Sequence, residues 1–206
     1  MIIFDLDGTL WETIDATEMA AKEVARENNI YDYDISTVKK GMGLSKEENI
    51  INYYPNYKRD EAIVYLENVT LKTIGYIEKG YVKIYDGVND VIKELSKKYK
   101  LGIVTNNNDN YAKTFLKISG LEKYFTDYMG ASSYGITKEE AIRRMVERNT
   151  EKINIYVGDI KKDMEAAIGA GINFIYAKYG FGGNFEYEYY INSIIELPSF
   201  IENNFK

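Results

Sequence analysis

The stretch "IIFDLDGTLW", residues 2–11, decides how this chain is read. Ile2, Ile3 and Phe4 make an apolar run suited to a buried strand, whereas Asp5 and Asp7 call for water, a proton or a cation. Alternate side chains of a strand share a face, so Asp5 and Asp7 project to one side while Leu6 turns to the other. Gly8 lets the backbone turn sharply, and Thr9 is placed to tie the loop back. Two carboxylates this close repel each other unless a cation or proton sits between them. The bland alternative is a strand that ends in a polar turn.

The bulk composition narrows the chemistry. The chain has 206 residues, enough for one good-sized domain or a domain carrying a smaller insertion. A formal net charge of −6 argues against non-specific nucleic-acid binding. No apolar run is long enough to span a bilayer. Asp5 stands where a secretory signal would be apolar, so a cytoplasmic location is expected. The chain contains no cysteine and no histidine. Disulfides, thiolate chemistry, Ser-His-Asp triads and imidazole metal sites are therefore excluded together. Catalysis would have to use carboxylates, lysine, hydroxyls or a hard metal held by oxygen, and magnesium fits such ligands.

Short apolar or β-branched segments at Ile2–Phe4, 101–106, 127–132, 153–159 and 172–178 read as strands. Helical patterns over roughly 87–99, 110–118, 138–149 and 161–170 lie between them. Strands alternating with helices predict an α/β fold, a Rossmann-like parallel sheet with right-handed crossovers. Ligands gather at the carboxyl ends of such strands. The rhythm breaks after the first strand, where three helical patterns follow without a convincing strand. The expected organisation is an α/β core of residues 1–13 and 84–206 and a smaller inserted α-helical domain of residues 14–83. Hinges are expected near 10–13 and 84–87.

Three later stretches carry candidate chemistry. In "IVTNNND", Thr105 and Asn106 stand at the end of an apolar strand, where a hydroxyl and backbone N–H groups suit an oxyanion; such junctions are also commonly polar for no catalytic reason. "TKEE" fits a capping box, Thr137 capping the helix and Glu140 reaching back. That places Lys138 in the first turn, where the helix dipole disfavours a cation unless an anion lies nearby. In "YVGDIKKD", Asp159 follows an apolar strand and Asp163 lies four residues on. They are either an N-cap with a solvated acid or the completion of a carboxylate cage begun by Asp5 and Asp7.

Together "FDLDGTL", "VTNN", Lys138 in "GITKEEAI" and "VGDIKKD" resemble, in order, the four motifs of the haloacid dehalogenase superfamily of phosphohydrolases. The resemblance runs the whole length. The helical insertion is similar to that superfamily's first class of cap, and "AIGAGINFIYAKYGFG" to the end of phosphoglycolate-phosphatase-like members. It implies a magnesium-dependent phosphatase acting on a small phosphate monoester through an aspartyl-phosphate. Asp5 would be the nucleophile and Asp7 the general acid, then base. Asp5, the Asp7 backbone carbonyl and Asp159 would hold Mg2+. Asp5, Leu6, Asp7, Thr105, Asn106 and Lys138 would bind phosphate, and Asp163 would anchor Lys138 or a metal-bound water. Glu139 follows Lys138 where close relatives often have proline. The dehalogenase branch lacks the second aspartate, so Asp7 favours phosphoryl transfer over carbon–halogen cleavage.

Within the insertion, "GMGLSKEENI" (41–50) looks similar to the specificity loop of β-phosphoglucomutases, and a mutase-like phosphotransferase is one alternative. Ser45 and Glu48 also fit an ordinary capping box, and those mutases depend on a cap histidine that this chain lacks. A catalytically silent binding protein on the same fold is the other alternative, though it would need no second acid. Gly41, Gly43, Lys46, Tyr53, Tyr54 and Tyr57 are candidate contacts to substrate. The expected partner is a small phosphorylated metabolite, with no nucleic acid or membrane, and the expected state a monomer or weak homo-oligomer.

Overall fold

Residues alternate strictly across the first strand. Ile2 and Phe4 enter one apolar cluster with Leu101, Ile103, Ile155 and Val157, while Ile3 enters another with Val104, Tyr156 and Phe174. A strand buried on both faces belongs in the middle of a parallel sheet covered by helices on either side. The computed structural model, which describes residues 1–31, 34–183 and 185–205, places it there.

The chain begins with β1 (Ile2–Phe4), β2 (Trp11–Glu12), α1 (Ile14–Glu27), α2 (Thr37–Gly41), α3 (Lys46–Tyr53) and α4 (Arg59–Glu78). It continues through β3 (Lys83–Ile84), α5 (Val88–Leu95), β4 (Leu101–Thr105), α6 (Asp109–Ser119), β5 (Asp127–Gly130) and α7 (Ala131–Tyr134). It closes with α8 (Lys138–Asn149), β6 (Ile155–Gly158), α9 (Lys161–Gly169), β7 (Asn173–Ala177), β8 (Tyr190–Ile191) and α10 (Leu197–Asn204). The main sheet has the order β5-β4-β1-β6-β7-β8, and every pairing in it is parallel. The α/β, Rossmann-like class expected from the alternating pattern is the observed one.

The helices between β2 and β3 have apolar clusters of their own. Ala16, Ala20, Ala21, Val24 and Ala25 are the buried residues of α1. These small side chains let α1 lie close along α4. Tyr54, Tyr57 and Tyr65 stack edge to face in a second cluster with Ile50 and Leu66. Where the chain leaves and re-enters the core, Trp11 pairs with Ile84 and Glu12 with Lys83 in a two-stranded antiparallel ribbon. Strands of two residues have no period to read, which is why the sequence pattern shows no strand there. Among the described residues no helix is long and apolar enough to cross a membrane.

Candidate active site

The carboxyl ends of β4, β1 and β6, three neighbouring strands, deliver Thr105, Asp5 and Asp159 to one edge of the sheet. After β1 the chain does not continue as a strand. The Leu6 carbonyl accepts from the N–H groups of Thr9, Leu10 and Trp11, making a tight turn. Asp5 and Asp7 both face the cavity while Leu6 stays in the core. Gly8 has φ +81°, and a Cβ there would lie 2.0 Å from Asp159 Oδ2. Glycine is thus required both for backbone conformation and for the approach of the acid. Thr9 ties the turn through its backbone; its buried hydroxyl makes no hydrogen bond among the described residues.

Lys138 opens α8 behind the Thr137 cap, whose hydroxyl accepts from Glu140 N–H at 3.1 Å. The reciprocal half of the expected capping box is not made, because Arg143 and Arg144 hold the Glu140 carboxylate at 2.7 and 2.8 Å. The Lys138 ammonium donates to Asp5 Oδ1 at 3.0 Å and to Asp163 Oδ1 at 2.6 Å, all three side chains being buried. Burial alone would make this lysine easier to deprotonate; the two carboxylates overcome that and raise its pKa above the ordinary value. Asp163 Oδ2 accepts from the N–H groups of Asp159 and Ile160, each at 3.1 Å. Both Asp163 oxygens are therefore engaged, fixing Lys138 on one side and the start of α9 on the other.

Carboxylate oxygens of Asp5, Asp159 and Asp163 lie within 4.8 Å of one another. Asp163 joins this group of carboxylates with both of its oxygens already taken, whereas the role expected of Asp7 falls to its backbone carbonyl. Burial pushes Asp5 up to about 7 against the opposing pull of Lys138, with Asp163 and Asp7 adding to the rise. Burial, then the charges of Asp163 and Asp5, hold Asp159 well above the usual carboxylate range. Asp5 Oδ2 and Asp159 Oδ1 are buried without a hydrogen-bond partner among the described residues. An oxygen-only donor set with excess negative charge and two unpartnered carboxylate oxygens fits a hard divalent cation.

Asp7 is held apart from this group. Its Oδ1 accepts from Thr13 Oγ1 at 2.8 Å and from the Tyr111 hydroxyl at 2.7 Å, and these two hydroxyls lie 2.9 Å apart. Oδ2 accepts from Asn107 Nδ2 at 3.4 Å. Burial raises the Asp7 pKa, and the two hydroxyls pull it back. Tyr111 is itself raised well above its ordinary value by burial and by Asp7, so it stays protonated and donates. Tyr111 and Thr13 were not legible as site residues. Tyr111 is 104 positions from Asp7 and reads as one more packing aromatic on α6.

A cavity of about 340 Å³ opens over the acids, walled on the far side by the inserted helices. Asp5, Asp7, Thr105, Asn106 and Lys138 line it from the core, and Gly41, Gly43, Lys46 and Tyr53 from the insert. Asn106 Nδ2 donates to the Gly43 carbonyl at 2.8 Å, joining the two walls, and Lys162 on α9 pairs with Glu48 on α3. Ser45 and Glu48 form the expected capping box. Lys46, the next residue, pairs with Glu67 on α4 at 2.6 Å. Tyr54 and Tyr57 do not line the cavity; they pack against Tyr65 instead.

Residues 2–177 match the family model described as haloacid dehalogenase-like hydrolase, and the chain belongs to that family. A phosphoglycolate phosphatase of Aquifex aeolicus is 28% identical over 191 residues, covering 88% of this chain and 85% of that protein. A glyceraldehyde 3-phosphate phosphatase of Methanocaldococcus jannaschii is 26% identical over 231 residues, covering 98% and 96%. The crystal structure of a predicted phosphatase from Clostridium acetobutylicum superimposes with a TM-score of 0.84 at 26% identity, covering 98% of this chain and 97% of that one.

Proposed function

We propose that this protein is a magnesium-dependent phosphatase that hydrolyses a small phosphate monoester through an aspartyl-phosphate on Asp5. Family membership and relatives named as phosphatases support a phosphoric monoester hydrolase. The observation that carries the finer reading is the meeting of Asp5, Asp7, Thr105, Lys138 and Asp159 at one sheet edge, around two buried carboxylate oxygens that lack partners.

In the first half-reaction the Asp5 carboxylate attacks phosphorus, and the bond from phosphorus to the ester oxygen breaks. Asp7 delivers a proton to that oxygen from Oδ2, the atom its hydroxyl partners leave available. In the second, Asp7 takes a proton from water, whose oxygen attacks phosphorus and frees the Asp5 carboxylate and inorganic phosphate. Thr105, the Asn106 and Leu6 backbones and Lys138 hold the transferring oxygens. Asp5, the Asp7 carbonyl and Asp159 would hold Mg2+, which when bound offsets the repulsion between an anionic nucleophile and an anionic phosphate. Asp163 positions Lys138. Residues 14–83 act as a cap that closes over the site, turning about the segments near 10–13 and 84–87, and exclude water during transfer.

The test is phosphate release from a panel of monoesters, with magnesium and with chelator, beside Asp5→Asn. Magnesium-dependent release that Asp5→Asn abolishes is the expected result. Release by the variant at a near-normal rate would refute the assigned nucleophile.

A further inference from the structure

The cap side of the cavity differs chemically from the phosphate side. Three threonines line it, and each spends its hydroxyl proton inside its own helix. Thr17 Oγ1 donates to the Thr13 carbonyl at 2.9 Å, Thr70 Oγ1 to Leu66 at 3.2 Å and Thr73 Oγ1 to Val69 at 2.8 Å. What remains at each oxygen is acceptor capacity. Asn49 also lines this wall. Its Nδ2 donates to the carbonyls of Gly41 and Leu44, and its buried Oδ1 has no donor among the described residues. Among the described residues the wall's one cation is Lys46, which is paired with Glu67 at 2.6 Å. Among the described residues, no arginine lines the cavity.

Such a wall offers acceptors and asks for donors. A second anion on the substrate would face these oxygens and Glu67, with a phosphate dianion already close by. We infer that the ester cleaved here carries a small, uncharged, polyhydroxylated leaving group, and that Glu67 enforces this by holding Lys46 away from any carboxylate. The inference rests on the phosphatase reading and chooses within it. Apolar Leu44, Leu66 and Val69, on the same wall, suit the carbon chain of such an alcohol. A volume of about 340 Å³ lies at the small end of ligand cavities, which favours a short chain.

The test compares kcat/KM for glycerol 1-phosphate and erythritol 4-phosphate with that for phosphoglycolate and phospholactate, in wild type and in Glu67→Gln. Wild type is expected to favour the polyol esters by about tenfold or more, the order reached when polar groups of a site are matched or mismatched. Glu67→Gln releases Lys46 and should shrink that ratio by about tenfold, chiefly through a lower KM for the carboxylate esters. Thr70→Val, which removes one acceptor, should shrink it through the polyol esters instead. A wild-type ratio near or below one overturns the inference while leaving the phosphatase standing. A ratio that Glu67→Gln leaves unchanged overturns the role of Glu67. No release from any ester above the Asp5→Asn background brings down the phosphatase reading and this inference together.

Discussion

A buried carboxylate whose second oxygen has no partner is poised for chemistry and costly for folding, and Asp5 shows both sides. Its pKa is raised by burial from 3.8 to about 7. The native state thus holds this proton more tightly than the unfolded chain does. The stability it contributes is full below about pH 4 and is lost as pH rises through about 7. Asp159, raised for the same reason, adds to the trend. In chelator the melting temperature should fall between pH 5 and pH 8. Asp5→Asn keeps an acceptor for Lys138 and removes the charge, so it should melt about 3 °C or more above wild type at pH 8. The gap should close near pH 5, and a gap independent of pH would contradict this account. Tyr111 makes a second prediction at this scale. Tyr111→Phe removes the 2.7 Å bond to Asp7 Oδ1 but leaves Thr13 in place. kcat should fall about tenfold with KM nearly unchanged, equivalent to losing one hydrogen bond to a charged group. An equal change in KM would mean that the ring only packs.

At the scale of elements, the strand-to-turn junction after β1 is the most constrained part of the fold. Gly8→Ala would force a side chain into a left-handed residue, costing about 1–2 kcal/mol, and drive its Cβ against Asp159. The expected result is a lower melting temperature and, in titrations followed by calorimetry, weaker magnesium binding. Unchanged metal affinity would separate Gly8 from the site. The long elements were legible because burial on two faces or one leaves a period in the sequence. The helix expected over 138–149 is α8 itself, and the strand expected at Ile2–Phe4 is β1. The elements β2, β3, α2, α7 and β8 were not legible, since none of them carries the apolar run that marks β1, β4, β6 and β7. Glu140 shows a different failure. The spacing that suggests a capping box also lets Arg143 and Arg144 compete for the same carboxylate, and they win.

At the scale of the molecule, the inserted helices and the core meet across the cavity, and the single tryptophan stands at their junction. Trp11 is fully buried in β2, with Tyr111 and Phe115 each 5.2 Å away edge to face. If residues 14–83 close as a cap, magnesium with orthovanadate should change Trp11 emission, and chelator should reverse the change. Inhibition by vanadate with constant emission would argue against motion at this root.

The sequence by itself determined the chemical repertoire and the order of the main elements. Absent histidine and cysteine left carboxylates, lysine and hydroxyls, and the alternation of apolar runs with amphipathic helices made a parallel sheet the consistent fold. It also placed Asp5, Asp7, Thr105, Lys138 and Asp159 at strand ends and a helix start, where such sheets bring ligands together. Only the tertiary structure decided which oxygens stay unpartnered, that Asp163 spends both of its oxygens on Lys138 and the Asp159 and Ile160 N–H groups ahead of α9, and that Tyr111 and Thr13 hold Asp7. It likewise decided that Lys46 faces Glu67 while Tyr54 and Tyr57 turn away from the cavity. Hydrogen bonds between residues tens of positions apart leave no periodic trace in the chain, because they follow from how elements pack and not from what each element is.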